Sequence, residues 1–203
     1  MTPALIVPAL IVIDVQNDFC PGGALPVTGG DEVVSTINTL MNDFACIVLT
    51  QDWHPHDHSS FAATHGAEPF STAMMPYGPQ TLWPTHCVQG TEGAALHHSL
   101  RTKPAQLILR KGFHPEIDSY SAFFENDRTT PTGLDGYLRT RGVTDVVLAG
   151  LATDYCVGFS ALDAVRLGYG VTVRLDASRA IDLDGSLSAM LDQMRAAGVR
   201  LVA

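Results

Sequence analysis

Four polar side chains with chemical potential stand at the ends of apolar runs in this chain. Cys156 follows Val146-Val147-Leu148-Ala149-Gly150 and precedes Val157, Ala161, Leu162 and Val165, spaced as on one helix face. The spacing predicts a strand, a tight turn and a helix. Thr153 or Asp154 would be the N-cap and Cys156 would lie in the first helical turn. A thiol there feels the positive end of the helix dipole and unpaired backbone N–H groups. Both favour thiolate, and the N–H groups could hold an oxyanion formed by attack on a carbonyl. A small buried cysteine is the commoner fate of this residue type, but the strand–turn–helix setting favours a nucleophile.

Asp14 lies inside Ile11-Val12-Ile13-Asp14-Val15, where a carboxylate must be paired or functional. Lys111, one of two lysines against ten arginines, ends Leu107-Ile108-Leu109-Arg110-Lys111. A lysine beside a cysteine stabilises thiolate, and a nearby carboxylate can take the thiol proton and return it to a leaving amine. A plain Asp14–Lys111 ion pair closing the strand ends is the structural alternative. Asp52-Trp53-His54 puts a carboxylate and an imidazole two residues apart, on one side of an extended segment. Together they suit one metal ion, with His86 as natural third ligand and His56, His58 and His65 as competitors. Two nitrogens and one carboxylate oxygen suit zinc, and also iron or manganese with water completing the shell. Phe19, Trp83, Tyr120 and Tyr155 could wall a small aromatic pocket or be ordinary core.

The elements that must position these groups are legible as short continuous apolar runs: Leu10–Val15, Cys46–Gln51, Leu107–Arg110, Val146–Ala149, Val171–Leu175 and Val199–Val202. Unbroken runs of this kind mark parallel strands covered on both faces. Helical periodicity falls between most of them, at Asp31–Ala45, Leu134–Arg141, Asp154–Leu167 and Gly185–Ala197. Alternating strands and helices predict a right-handed, layered α/β fold. In such folds ligands bind beyond the carboxyl ends of the strands. Four successive strands then deliver Asp14, Asp52 with His54, Lys111 and Cys156 to one rim. From Asp52 to about Leu100 the rhythm breaks into a long loop that holds most of the eight histidines, and a loop of that length is usually functional.

At 203 residues, 46% hydrophobic and 16% charged, the chain fits one soluble domain spanning 1–203. A net charge of −9 without long runs argues against nucleic acid as a partner. The four scattered cysteines have no disulfide or zinc-ribbon spacing and suggest a reduced, cytoplasmic setting. The apolar segment Ala4–Ile13 has no positive flank, is interrupted by Pro8 and is too short to span a bilayer. It reads as a buried first strand rather than a signal or membrane anchor.

Taken together, Asp14-Val15-Gln16-Asn17-Asp18-Phe19, Asp52-Trp53-His54-Pro55, Trp83-Pro84-Thr85-His86-Cys87, Lys111-Gly112, Asp118-Ser119-Tyr120-Ser121-Ala122-Phe123-Phe124 and Gly150-Leu151-Ala152-Thr153-Asp154-Tyr155-Cys156-Val157 resemble the nicotinamidase (pyrazinamidase) branch of the isochorismatase-like hydrolases. The blocks fall in order over roughly residues 9–176. The resemblance implies a three-layer α/β/α fold around a mainly parallel sheet and hydrolysis of nicotinamide to nicotinate and ammonia. It implies a triad of Asp14, Lys111 and Cys156 and one divalent metal on Asp52, His54 and His86. It also implies an oxyanion hole from the backbone N–H groups of Ala152 and Cys156, with a cis peptide between Leu151 and Ala152. His58 and Ser60 match positions that in some members join or support the metal shell. Leu151 stands where many members have valine. A homo-oligomer is compatible with the family. Relatives acting on carbamoyl or ureido substrates share the aspartate, lysine and cysteine but generally lack the metal cluster, and isochorismatases proper lack the cysteine. A catalytically silent metal-binding or partner-binding protein on the same fold is the alternative from another class.

Overall fold

The computed structural model describes residues 7–203, so the predicted Ala4–Ile13 segment is seen only from Val7 onward. Six parallel strands form the central sheet: β1 (Pro8–Ile13), β2 (Cys46–Asp52), β5 (Leu107–Lys111), β6 (Asp145–Leu151), β7 (Gly170–Arg179) and β8 (Arg200–Val202). They lie in the order β5-β2-β1-β6-β7-β8. All six predicted strands are present, and every pairing between them is parallel.

Because side chains alternate along a strand, the sheet feeds two cores. Ala9, Ile11 and Ile13 pack with Leu134, Leu138, Val157, Ala161, Met190 and Met194 on one face. These come from α2 (Leu134–Thr140), α3 (Gly158–Arg166) and α4 (Ser186–Ala196), or from the turn leading into α3. Leu10 and Val12 pack on the other face with Val33, Val34, Ile37 and Leu40 of α1 (Val33–Leu40). The result is the expected three-layer α/β/α arrangement. Among the described residues no helix is long and apolar enough to cross a membrane.

Three local expectations need correction. Strand β1 stops at Ile13, and Asp14 stands just past it with φ 46°, outside the sheet ladder. The helix predicted over Asp31–Ala45 is α-helical only from Val33 to Leu40, with single 3₁₀ turns on either side. The long loop between Asp52 and Leu100 contains an antiparallel hairpin, β3 (Thr72–Met75) and β4 (Gly78–Thr81). Glycine is required where β6 crosses the end of β1. Gly150 has φ +123°, and a Cβ there would strike the backbone of Ile13.

Candidate active site

Strands β5, β2, β1 and β6 are sheet neighbours, so their carboxyl ends bring Lys111, Asp52, Asp14 and Cys156 together. Lys111 is fully buried, and its Nζ is the hub. It lies 2.9 Å from Asp14 Oδ2 and 3.6 Å from Cys156 Sγ, donates to the Ser119 carbonyl at 2.6 Å, and pairs closely with Asp52 Oδ1. Burial works against the ammonium charge, but Asp14 and Asp52 outweigh it and hold Lys111 protonated.

Asp14 is also fully buried. Thr50 Oγ1, from the adjacent strand, donates to its Oδ1 at 2.5 Å and accepts from its backbone N–H at 3.1 Å. Its Oδ2 has no aligned hydrogen bond, although Lys111 is close, so a lone pair stays free. Burial lifts Asp14 to about 6 against the pull of Lys111. That value suits a group that must exchange protons near neutrality.

The setting of Cys156 differs from the expected helix N-terminus. Residues Thr153–Val157 form a π-helical turn ahead of α3, closed by Val157 N–H to the Ala152 carbonyl at 3.0 Å. Its N-cap is Ala152, without a side-chain cap, and the Leu151–Ala152 peptide is cis, as the resemblance implied. Asp154 does not cap this turn. Its carboxylate accepts from Ile181 N–H, Asp182 N–H and Ser186 Oγ, tying the turn to the start of α4. Burial pushes the Cys156 thiol well up and outweighs Lys111, so the resting thiol is neutral rather than the thiolate expected from the helix dipole. A proton acceptor is therefore required, and the Asp14 carboxylate lies within 4.8 Å of the sulfur.

On the far side of Lys111, the donor atoms of Asp52, His54 and His86 lie within 4.8 Å of one another, all buried. His54 Nδ1 is engaged with the Gly112 carbonyl at 2.8 Å and His86 Nδ1 with the Pro84 carbonyl at 2.7 Å. Such contacts fix the ring tautomer and turn the other nitrogen outward, as metal-binding histidines require. Burial, with His54 beside it, pushes His86 down to about 4, so its ring is neutral. His54 Nε2 is a buried nitrogen with no hydrogen-bond partner. An orphaned nitrogen, a neutral imidazole and a carboxylate fit a divalent cation. His58 is buried too, but both its ring nitrogens are engaged, by Ser60 Oγ at 2.7 Å and the Ile117 carbonyl at 3.2 Å. His56 and His65 are exposed.

The loop that carries His86 is anchored from a distance. Asp18 Oδ2 accepts the Cys87 N–H at 2.7 Å, and the Gln16 side chain clamps both backbone groups of Asp52. Neither contact was read from the sequence, although both residues fall in a motif quoted above. Gly112, with φ +66°, is a further requirement, because a Cβ there would stand 2.6 Å from the His54 ring.

Cys156 and His86 line a narrow cavity together with Phe19, Trp83, Tyr120 and Tyr155, all four of the predicted aromatic residues, and with Leu25 and Ile181. Trp83, Tyr120 and Tyr155 meet edge to face, with Trp83–Tyr155 centroids 4.9 Å apart. The cavity also holds Asp118, a buried carboxylate 4.0 Å from His54 Nε2 to which sequence reasoning gave no role. A thiol on the wall of an aromatic cavity, with a carboxylate and an ammonium group buried beside it and His86 on the same wall, can carry out acyl transfer on a small substrate.

Residues 8–203 match the family model described as Isochorismatase domain. The chain is 55% identical over 195 residues to a nicotinamidase of Acinetobacter baylyi, covering 96% of this chain and 91% of that one. A solved nicotinamidase/pyrazinamidase of Acinetobacter baumanii superposes with a TM-score of 0.96 at 52% identity, over 98% of this chain and 97% of that one. A pyrazinamidase of Pyrococcus horikoshii, solved in complex with zinc, gives a TM-score of 0.78 at 37% identity, over 96% of this chain and 98% of that one. With the fold, the family match and these relatives in agreement, the chain belongs to the isochorismatase family, among its nicotinamidases.

Proposed function

We propose that this protein hydrolyses nicotinamide, and pyrazinamide as its close analogue, to the free acid and ammonia through a thioester on Cys156. The observation that carries the reading is the convergence of the Asp14 carboxylate and the Cys156 sulfur, within 4.8 Å of each other, on Lys111 Nζ, 2.9 Å from Asp14 Oδ2 and 3.6 Å from the sulfur. Asp14 takes the thiol proton while Lys111 stabilises the sulfur anion as it forms. The sulfur attacks the carboxamide carbon, and the backbone N–H groups of Ala152 and Cys156 receive the oxyanion. Collapse of the tetrahedral species expels ammonia with the proton held on Asp14. A water molecule, deprotonated by Asp14, then cleaves the thioester and frees the acid.

Asp52, His54 and His86 would hold one divalent ion, which we assign as zinc, with iron or manganese the alternatives that metal analysis would reveal. When bound, such an ion offers a coordination point for a pyridine nitrogen and so orients the ring. Phe19, Trp83, Tyr120 and Tyr155 hold the ring faces and exclude water. Residues 1–203 act on this reading as one catalytic domain with a small-molecule substrate.

Ammonia release from nicotinamide, with and without chelator, tests the assignment. Turnover that falls with chelation and returns with metal supports it. Activity on a ureido compound with none on nicotinamide would overturn it.

The state of Asp14 sets the pH dependence. Activity needs the carboxylate, which is present above about 6 and lost below. The expected profile of kcat/KM is flat on the alkaline side and falls about tenfold per pH unit on the acid side. A profile that stays level down to pH ~5 would remove Asp14 as the base.

Gly112→Ala is expected to displace the His54 ring. Metal affinity should fall about 10- to 100-fold, as when a supporting contact to a ligand is lost. Competition with a chromogenic chelator measures this, and unchanged affinity would take the His54 nitrogen out of the ligand set.

A further inference from the structure

The hairpin inside the long loop raises a question of its own. Within β3 and β4, Gln80 alone is buried, while its neighbours are exposed or half-buried and Met74 is 78% exposed. A hairpin usually turns an apolar face to a core, but this one delivers a single amide. That amide is fully used. Its two Nε2 hydrogens are shared among three acceptors, Asp118 Oδ2 at 2.7 Å, the Thr81 carbonyl at 2.8 Å and the Tyr120 hydroxyl at 2.9 Å. Its Oε1 accepts from Asn126 Nδ2 at 3.0 Å and Tyr77 OH at 3.2 Å. Asn126 Oδ1 in turn accepts the Tyr120 backbone N–H at 2.9 Å, so the network grips Tyr120 at both its backbone and its hydroxyl. Asp118 and Tyr120 line the cavity, whereas Gln80 does not.

We propose that Gln80 is a positioning residue of the active cavity: it fixes the Asp118 carboxylate and the position of the Tyr120 side chain, and through them the hairpin sets how tightly substrate is held. The inference rests on the hydrolase reading above. A buried amide with every donor and acceptor engaged has one low-energy orientation, so the groups it touches inherit that orientation. Gln80 touches neither the thiol nor its base, so its loss acts on the fit of the ring more than on the bond-making step. Uniform loss of substrate binding appears in KM with kcat preserved.

The test compares Gln80→Met, which keeps length and removes both hydrogen-bonding ends, with Gln80→Asn, which keeps the amide one methylene short of its partners. With nicotinamide, KM should rise about tenfold in each while kcat stays within about threefold. Combining Gln80→Met with Tyr120→Phe should give less than the product of the single effects on KM, because both remove one shared contact. Side-chain mobility of Tyr120 and solvent exchange of its hydroxyl proton by NMR give a readout independent of turnover, and both should rise in both variants; this spectrum decides if either variant is too unstable for kinetics. Native KM in variants of an active protein would overturn the positioning role and leave the function standing, as would equal falls in kcat/KM with and without the tyrosine hydroxyl. A wild-type protein that released no ammonia would overturn the function, and the Tyr120 spectrum would then decide the role of Gln80.

Discussion

Cys156→Ala should leave no measurable ammonia release from nicotinamide, a loss on the order of 10⁴-fold or more in kcat, because no other group near the carboxamide can form the acyl intermediate. Water activated by Asp14 could still attack directly, which sets the floor. The variant should keep its metal, since the sulfur is outside the Asp52–His54–His86 set. Asp14, Asp52 and Cys156 do form another triangle of donor atoms within 4.8 Å. Lys111 Nζ already lies among them, 2.9 Å from Asp14 and 3.6 Å from the sulfur, and an ammonium group excludes a second cation. Turnover measured beside metal analysis therefore separates this triangle from the Asp52–His54–His86 set. Retained turnover would end the nucleophile assignment, and a fall in metal per chain would mean that the ion sits on the sulfur side.

The framework of the site was legible because parallel strands covered on both faces leave unbroken apolar runs, and the polar residue ending each run marks the rim. Long-range and burial effects were not legible. Helix dipole and N-cap residues are local features, and they pointed to a thiolate in a first helical turn. Burial of Cys156 is a property of the whole fold, and it reverses the sign of that argument. Asp154 has the residue type of an N-cap, yet its carboxylate serves Ile181, Asp182 and Ser186 instead, an arrangement only the tertiary structure creates. The hairpin escaped notice because Thr72-Ala73-Met74-Met75 and Gly78-Pro79-Gln80-Thr81 have no alternating apolar face and carry a proline. Its one buried residue is polar, and hydrophobic periodicity cannot report that. The candidate metal set was read as Asp52 and His54, two apart on an extended segment, with His86 as third ligand and His58 among its competitors. Favouring His86 over His58 turns on which imidazole has a nitrogen free, and the second nitrogen of His58 is engaged by the Ile117 carbonyl, far away in sequence.

Lys111→Met is the substitution expected to cost most in stability. The ammonium compensates two buried carboxylates, Asp14 and Asp52, and none of the three side chains has appreciable contact with solvent. Removing one partner of such a group typically costs about 3–5 kcal/mol, because uncompensated charge stays behind. In a chain of this size each kcal/mol moves Tm by roughly 2–4 °C, so a fall of roughly 6–20 °C is expected in chelated protein, where Asp52 has no other cation. Without Lys111 the main influence lowering Asp14 disappears, and burial drives its carboxyl above the present value of about 6. The native state then holds a proton that the unfolded chain gives up near 3.8, so the variant loses stability as pH rises. The gap to wild type should accordingly narrow on acidification. Adding Asp14→Asn removes one of the two stranded carboxylates and should recover much of the lost Tm, while turnover stays absent for want of a base. If the double variant melts no higher than Lys111→Met alone, the lysine contributes packing rather than charge, and its place as the electrostatic partner of Cys156 falls with it.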